Sequence, residues 1–334
     1  MPAMVAPGFI RSVFPQTRVG KCAMPVRTYA THPSQPTLRG TPFIISSMSR
    51  RTAPLAPTAQ PRQAGSRSNA CRRGGAEPCY VALNAAQDRL AVANYGSGSI
   101  AVYRLDDASG VPRDAPEVLR RHSGSGPVAD RQDGPHAHCV CFSPDQRWLY
   151  HVDLGADAVF AYPFDAETGA VGDPCVAYAA PAGSGPRHLT FHPTLPVAVL
   201  ASELASTLTL LRIDDGALVA TQTVSTLPVD FAGQNIAGHL CINRAGDRVY
   251  VTNRGHDSIA VFALVMNGSM SLLQHVPSGG ASPRAFVLLE DQRQLVLVNE
   301  EAGNVAVFSI LSNGTLAPHH QVLPVPGAVF VFVR

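Results

Sequence analysis

Acidic residues are absent from the first 76 positions of this 334-residue chain, which hold ten Arg and Lys21 but no Asp or Glu before Glu77. The formal net charge of +2 therefore hides a segregation of charge along the chain. Eleven of the 26 basic residues lie in this segment, so the remainder carries 15 basic against 24 acidic residues. An acidic remainder argues against a basic nucleic-acid-binding surface, and no nucleic-acid partner is expected.

Long apolar runs and closely spaced cysteine pairs are also missing. No stretch approaches the roughly 18 apolar residues of a membrane-spanning helix, so no membrane partner is expected. Dispersed cysteines, odd in number and without metal-like spacing, are typical of buried thiols in a reducing compartment, which predicts a cytoplasmic protein without a metal site. Two of them, two positions apart on a predicted strand, are expected to share a face. The seven cysteines are Cys22, Cys71, Cys79, Cys139, Cys141, Cys175 and Cys241.

Residues 1–76 are predicted to be a low-complexity basic tail outside the folded domain. The segment is rich in Arg, Ser, Pro, Ala and Thr without a sustained strand or helix period, so it buries too little apolar surface to offset chain entropy. An Arg- and Ser-rich composition is also that of a transit peptide, although Pro7, Pro15 and Pro25 interrupt the amphipathic helix such a peptide needs. A disordered extension, a targeting segment and non-native coding sequence are the three interpretations.

Residues 77–334 repeat one strand pattern. Each unit reads as four short strands separated by turn signals such as Pro144-Asp145 and Gly246-Asp247. Tandem units of this size predict an all-β fold, a β-propeller whose blades surround a channel. A β-sandwich also has short strands, but it would not repeat its loop chemistry in register. The five clearest segments are LAVANYGSGSIAVYRL, LYHVDLGADAVFAYPF, AVLASELASTLTLLRI, VYVTNRGHDSIAVFAL and LVLVNEEAGNVAVFSI, with starts 59, 49, 51 and 46 residues apart.

Two equivalent positions, 16 residues apart in each of the five units, carry the residues that suggest chemistry. The first lies at the start of a unit's first strand, and the second lies where the following strand ends. Because the two strands are antiparallel, both positions are expected at the same mouth of the channel. Ionisable side chains that converge there form the candidate site. The pairs are Cys79 and Tyr95, His138 and Leu154, Arg187 and Glu203, Gly238 and Arg254, and Arg284 and Glu300.

The chemistry of these positions favours an anionic ligand. Guanidinium groups bind carboxylates or phosphates bidentately, and a neighbouring His or Glu supplies general acid–base catalysis. The structural alternative is that strand ends at a propeller rim carry only solvated or paired charges. An exposed Arg187–Glu203 salt bridge, for example, would contribute little to stability.

Five motifs resemble those of the seven-bladed propeller lactonases, a family that includes bacterial 6-phosphogluconolactonase and the fungal carboxymuconate-lactonizing enzyme. They occur in the family's order, and the resemblance extends from about Gly74 to the C-terminus. It implies a propeller of four-stranded blades and metal-independent chemistry, without a cofactor, on a lactone or its ring-opened acid. The motifs are RQDGPHAH (131–138), GPRHLTFHP (185–193), SELAST (202–207), NRGHDSIAVF (253–262) and SPRAF (282–286).

The resemblance also assigns site residues, through the His of the first motif, the Arg of GPRH, the Glu of the following strand and the Arg of NRG. The implied substrate is a small lactone that bears phosphate or carboxylate. Its hydrolysis, first of all that of 6-phospho-D-glucono-1,5-lactone, is the expected activity; a carboxymuconate-type lactonizing isomerase and a non-catalytic scaffold are the alternatives. The predicted catalytic set is His138, Arg187, Glu203 and Arg254, and the predicted substrate-binding set is His136, Arg284 and Glu300.

Two departures from the family pattern matter. The family usually has an acidic residue where this chain reads AGHL, so His239 changes the local charge. Only five clear blades fit residues 77–325, while PGAVFVFVR at the end reads as the first strand of another. We therefore expect a propeller without its opening blades, which closes with fewer, gapes, or pairs its edges with another chain. The oligomeric state stays open.

Overall fold

The computed structural model describes residues 43–47, 74–265 and 268–333. Regular structure in these ranges is β, apart from two single turns of 3₁₀ helix at Tyr95–Ser97 and Glu290–Gln292. No helix within the described ranges is long and apolar enough to span a bilayer. The strands are β1 (Phe43–Ser47), β2 (Pro78–Leu83), β3 (Arg89–Asn94), β4 (Ser99–Arg104), β5 (Val118–Arg121), β6 (Ala137–Phe142), β7 (Trp148–Asp153), β8 (Ala158–Pro163), β9 (Cys175–Ala179), β10 (Pro186–Phe191), β11 (Val197–Ser202), β12 (Thr207–Asp214), β13 (Ala217–Ser225), β14 (Ile236–Ile242), β15 (Arg248–Arg254), β16 (Ser258–Val265), β17 (Ser269–Pro277), β18 (Pro283–Leu289), β19 (Gln294–Asn299), β20 (Asn304–Ile310), β21 (Leu316–Pro324) and β22 (Ala328–Val333).

Five four-stranded antiparallel sheets account for β2 to β21, and the strand order in each sheet is the chain order. The first strands of successive sheets are neighbours, so the sheets stand side by side with these strands innermost. Alternation along a strand lets each sheet bury side chains on both faces. In β7, Leu149 packs toward the first sheet and Tyr150 toward the third. The predicted all-β architecture of propeller blades is confirmed.

A β-bulge lies near the start of every innermost strand. In β10 the register with β11 shifts between Pro186 and His188, so Arg187 is an extra residue without an opposite partner. A bulge re-aims the extra side chain relative to the sheet faces. The first repeated position of every unit is therefore turned toward the axis that the innermost strands surround. The corresponding residues are Cys79, His138 and Arg284, and Gly238 together with His239 in the fourth sheet.

Buried tyrosines at equivalent positions tie neighbouring sheets together. The hydroxyl of Tyr150 in β7 donates to the Gly216 carbonyl at 3.1 Å, in the turn between β12 and β13. The hydroxyl of Tyr250 in β15 donates to the Gly314 carbonyl at 2.8 Å, in the turn between β20 and β21. Each bond satisfies a buried polar group, for a net stabilisation of about 1 kcal/mol. The sheets that flank the candidate site are thus held in a fixed relation.

The C-terminal strand predicted from PGAVFVFVR is present as β22, which packs beside β18 and β19. It pairs antiparallel with β1, Phe43 opposite Val333. These five residues lie within the predicted tail, so a short part of that segment forms a strand. The edge of β22 offers backbone donors and acceptors that need partners, and FIISS is rich in residues that favour strands. The rest of the predicted tail, residues 1–42 and 48–73, lies outside the described residues.

The described cysteines are all free thiols, but not all are buried. Cys139 is buried and Cys141 partly so, and both pack in one cluster between the second and third sheets, as their shared face predicts. Burial is wrongly predicted for Cys79 and Cys175, which are exposed. Cys175 lies on the outermost strand of its sheet, and the Cys79 thiol lies 3.4 Å from the carbonyl oxygens of Ala137 and His138 at the start of β6. Cys241 is partly buried, and Cys22 and Cys71 lie outside the described residues.

Candidate active site

Glu203 is the centre of a buried ion-pair cluster. Its Oε1 accepts a hydrogen bond from Arg131 Nη2 at 2.6 Å. Its Oε2 pairs with Arg187 Nη1 and lies 2.9 Å from Arg254 Nη2. The Nε2 atom of His138 lies 3.8 Å from the same oxygen. A carboxylate tolerates this degree of burial only where cations and hydrogen bonds replace the water it loses.

The hairpin of β10 and β11 places Arg187 and Glu203 beside each other. Glu203 directly follows β11, and its N–H donates to the Gly185 carbonyl at 2.6 Å, which closes the hairpin at that end. The Glu203 carbonyl accepts from the Ala237 N–H at 3.0 Å and so joins the third sheet to the fourth. Arg254 ends β15 of that fourth sheet. The antiparallel geometry that predicts their convergence is the one observed.

Close packing explains why Gly238, which has no side chain, occupies the first repeated position of the fourth unit. A Cβ atom there would lie 2.3 Å from Thr252 Oγ1 and 3.1 Å from the Pro283 carbonyl oxygen. The first contact is too close for a side chain, and the second is a tight contact with backbone that cannot turn away. Of the two repeated positions in the fourth sheet, Arg254 is therefore the one that carries a charge.

Protonation states follow from these contacts. Burial raises the pKa of Glu203, but the charges of Arg187 and Arg254 outweigh it and hold that pKa well below the usual range. Burial, reinforced by Arg187, lowers the pKa of His138 well below its ordinary value, so the imidazole is neutral near pH 7. Burial and the like charge of Arg187 lower the pKa of Arg254 to about 9, which leaves it protonated. Three cations thus surround one anion, an excess of positive charge.

The hydrogen bonds of His138 fix its tautomer. Arg187 Nη1 lies 2.8 Å from His138 Nε2, and a guanidinium only donates, so Nε2 accepts and the proton resides on Nδ1. Nδ1 is buried and has no partner among the described residues. A ligand oxygen that reached this N–H would satisfy it.

His136 lies beside this cluster and does not contact Glu203 in any described ion pair. Its ring stacks on Tyr95 at a centroid separation of 4.4 Å, and its Nε2 lies 3.1 Å from Asp133. Tyr95 in turn meets His138 edge-on at 5.6 Å. Tyr95, at the second repeated position of the first unit, therefore packs against His138, and His136 stacks on the Tyr95 ring.

Arg284 and Glu300 form a separate pair at 2.8 Å. Both are only partly buried, and their charges act on the pKa of Arg254 in opposite directions, Arg284 lowering it and Glu300 raising it. They therefore lie near the cluster without joining the contacts of Glu203.

Arg131 is the residue of the cluster to which sequence reasoning assigned no role. It opens the motif RQDGPHAH, but it lies in the connection from β5 to β6, away from the strand ends that the repeat compares. Its N–H donates to the Val128 carbonyl at 2.9 Å, and the next residue, Gln132, is fully buried with Nε2 2.8 Å from the Leu154 carbonyl. The sequence feature that could have identified Arg131 is its place in RQDGPHAH, the motif that also contains the predicted catalytic residue His138.

His239 occupies the AGHL motif as a neutral residue. Its ring lies between His188, at 5.2 Å, and Phe286, at 4.8 Å. Burial and then Arg187 lower its pKa to about 4. The predicted change in local charge is therefore the absence of a negative charge and not the addition of a positive one. No group of three His, Cys, Asp or Glu side chains suited to a metal occurs in the described part of the chain.

A family model described as "Lactonase, 7-bladed beta-propeller" matches residues 56–333. The chain belongs to this lactonase family. The 6-phosphogluconolactonase of Bacillus subtilis (strain 168) is 33% identical over 261 residues, which cover 76% of this chain and 73% of that protein. An uncharacterized protein of Lactococcus lactis subsp. lactis is 34% identical over 237 residues, 70% of this chain and 67% of that lactococcal one. The family predicted from the five motifs is confirmed.

Two solved structures share the fold of this chain. A protein from Lactobacillus plantarum superposes with a TM-score of 0.72 at 34% identity, over 77% of this chain and 74% of that one. The structure described as the periplasmic gluconolactonase of Pseudomonas aeruginosa gives a TM-score of 0.71 at 29% identity, over 77% of this chain and 72% of that one.

Proposed function

We propose that this lactonase-family chain hydrolyses a sugar lactone and that its substrate is 6-phospho-D-glucono-1,5-lactone. The observation that carries the proposal is the cluster of three guanidinium groups around the single carboxylate of Glu203. Its surplus positive charge suits a substrate that brings a phosphate. The name of the Bacillus subtilis relative gives the same substrate, and that of the Pseudomonas aeruginosa structure a related one.

In the proposed reaction, a water molecule attacks the lactone carbonyl carbon. As the new C–O bond forms, the carbonyl electron pair moves onto its oxygen, where a guanidinium such as that of Arg187 stabilises the negative charge. The water proton passes to a base. When the tetrahedral intermediate collapses, the ring C–O bond breaks and the leaving oxygen takes that proton, which yields the hydroxy acid.

Glu203 is the better candidate for the base than His138. The lone pair of His138 Nε2 is already engaged by Arg187, and its Nδ1 carries a proton. Glu203 has two oxygens, and Oε1 has Arg131 as its one described partner. A water held by Oε1 would lie next to the cations that stabilise the oxyanion.

The test is turnover of 6-phosphogluconolactone above its spontaneous hydrolysis. We expect the purified chain to accelerate hydrolysis and Arg187→Ala to lose at least about 100-fold in kcat. Arg212→Ala is the matched control, since the described partner of Arg212 is Asp214, on the exposed part of β12. A folded Arg187→Ala variant with unchanged activity would overturn the assignment.

Two further substrate outcomes separate the alternatives. Formation or opening of a carboxymuconate lactone, detected by product analysis, would identify the lactonizing isomerase. A folded protein without turnover on either substrate would identify a non-catalytic scaffold.

A further inference from the structure

The three arginines of the cluster differ in their access to solvent. The side chain of Arg131 is 32% exposed, against 5% for Arg187 and 9% for Arg254. Glu203 beneath them is 2% exposed. Arg131 is thus the cation of the cluster that an arriving anion meets first.

The two oxygens of Glu203 are also shared unequally. Oε2 is held by Arg187 and Arg254, with His138 nearby. Oε1 is held by Arg131 alone among the described contacts. If Arg131 turned away, the carboxylate would keep two buried cationic partners and would have one oxygen free.

Hydrogen bonds fix the backbone at Arg131, so a change of partner there would involve its side chain. The N–H groups of Arg131 and Gln132 both donate to the Val128 carbonyl, at 2.9 and 2.7 Å. Buried Gln132 anchors the same turn to the Leu154 carbonyl at 2.8 Å. The partly exposed guanidinium therefore extends from a rigid anchor.

We propose that Arg131 exchanges Glu203 for the anionic group of the substrate, so that a phosphorylated lactone both binds Arg131 and frees Oε1 for the attacking water. This inference rests on the proposed function. A phosphate is a stronger competitor for a guanidinium than a hydroxyl, because it forms charge-assisted, bidentate hydrogen bonds. Departure of one cation also lets the pKa of Glu203 move up toward that of an ordinary carboxyl, which makes Glu203 a better base.

The decisive comparison uses Arg131→Gln with two substrates, 6-phosphogluconolactone and unphosphorylated glucono-1,5-lactone. We expect KM for the phosphorylated lactone to rise about 10- to 100-fold, which corresponds to the loss of one charge-assisted hydrogen bond. The ratio of kcat/KM for the phosphorylated lactone to that for the unphosphorylated one should fall at least about tenfold. Arg131→Lys should restore part of this ratio because it keeps the charge.

An equal loss on both lactones would overturn the proposal, because it would mean that Arg131 only holds Glu203 in place. Binding of inorganic phosphate, measured by calorimetry, gives an independent readout. We expect Arg131→Gln to weaken it at least about tenfold and the surface variant Arg212→Gln to leave it unchanged. Unchanged phosphate affinity in Arg131→Gln would also reject the proposal. If the wild-type chain turned over neither lactone, the proposed function would fail, and phosphate binding would decide the role of Arg131.

Discussion

Two ion pairs occupy the same places in the repeat and have different surroundings. Arg187 and Glu203 in the third sheet, and Arg284 and Glu300 in the fifth, are each 16 residues apart. The first pair is 5% and 2% exposed, whereas the second is 31% and 17% exposed. The repeat therefore fixes where the backbone presents a charge, while the neighbouring sheets decide how that charge behaves.

The neighbours of the two pairs explain the difference. Glu203 receives His138 from the second sheet, Arg254 from the fourth and Arg131 from the connection before β6. Among the described residues, the fifth sheet has the fourth sheet on one side and β22, paired with β1, on the other. Breaking a buried pair leaves uncompensated charges, whereas an exposed pair is screened by water.

The largest effect is expected for Glu203→Gln, which keeps the shape and removes the charge. Turnover should fall by about three orders of magnitude, since base and electrostatic organisation are lost together. The free energy of unfolding should fall by about 3–5 kcal/mol, because three guanidinium groups lose their buried counter-charge. Urea unfolding and steady-state kinetics measure the two quantities.

Glu300→Gln is the matched control for that variant. It removes a carboxylate from the equivalent repeat position, so a comparable loss of stability would show that burial does not distinguish the two pairs. A Glu203→Gln variant as stable as wild type would lead to the same conclusion.

A second, smaller effect is expected for Arg187→Lys. Lysine keeps the charge, but it has no planar fork that contacts Glu203 and His138 together. We expect kcat to fall about 100-fold while the fold persists. Arg284→Lys, its counterpart in the fifth sheet, should change kcat less than about threefold. Equal losses in the two variants would remove the distinction between the pairs.

The repeat allowed part of this site to be predicted. The spacing of the repeat predicts that Arg187, Glu203 and Arg254 lie at the same end of adjacent hairpins. Antiparallel pairing brings the start of one strand beside the end of the next. The β-bulge that aims Arg187 inward has no recognisable sequence signature. It nevertheless recurs at the start of the innermost strand of each sheet.

Arg131 and β1 were beyond such reasoning. Arg131 reaches Glu203 because a loop folds back over the site, and that path depends on tertiary contacts of Gln132. The partner of β1 is β22, near the other end of the chain, and no local pattern encodes a pairing over that distance. The periodicity of the sequence does not predict contacts between segments that are far apart along the chain.

The third expected effect concerns pH. The pKa of Glu203 lies below that of a free carboxyl in the folded protein, so its contribution to stability is present above the unfolded value of about 4.3 and is lost as pH falls below it. Wild type should lose up to about 1.4 kcal/mol per pH unit more than Glu203→Gln in this range. Parallel curves of unfolding free energy against pH would contradict this.

The smallest effect is expected at the exposed pair, where Arg284→Gln should lower the free energy of unfolding by less than about 1 kcal/mol. Salt sharpens the test, because screening shortens the range of exposed charges to about 3 Å at 1 M ionic strength, while buried pairs are screened much less. In high salt, the difference between Arg284→Gln and wild type should vanish, and that between Glu203→Gln and wild type should persist. If salt erased both differences, Glu203 would be reached by solvent ions. The cluster around Glu203 would then behave like the solvent-accessible Arg284–Glu300 pair of the fifth sheet.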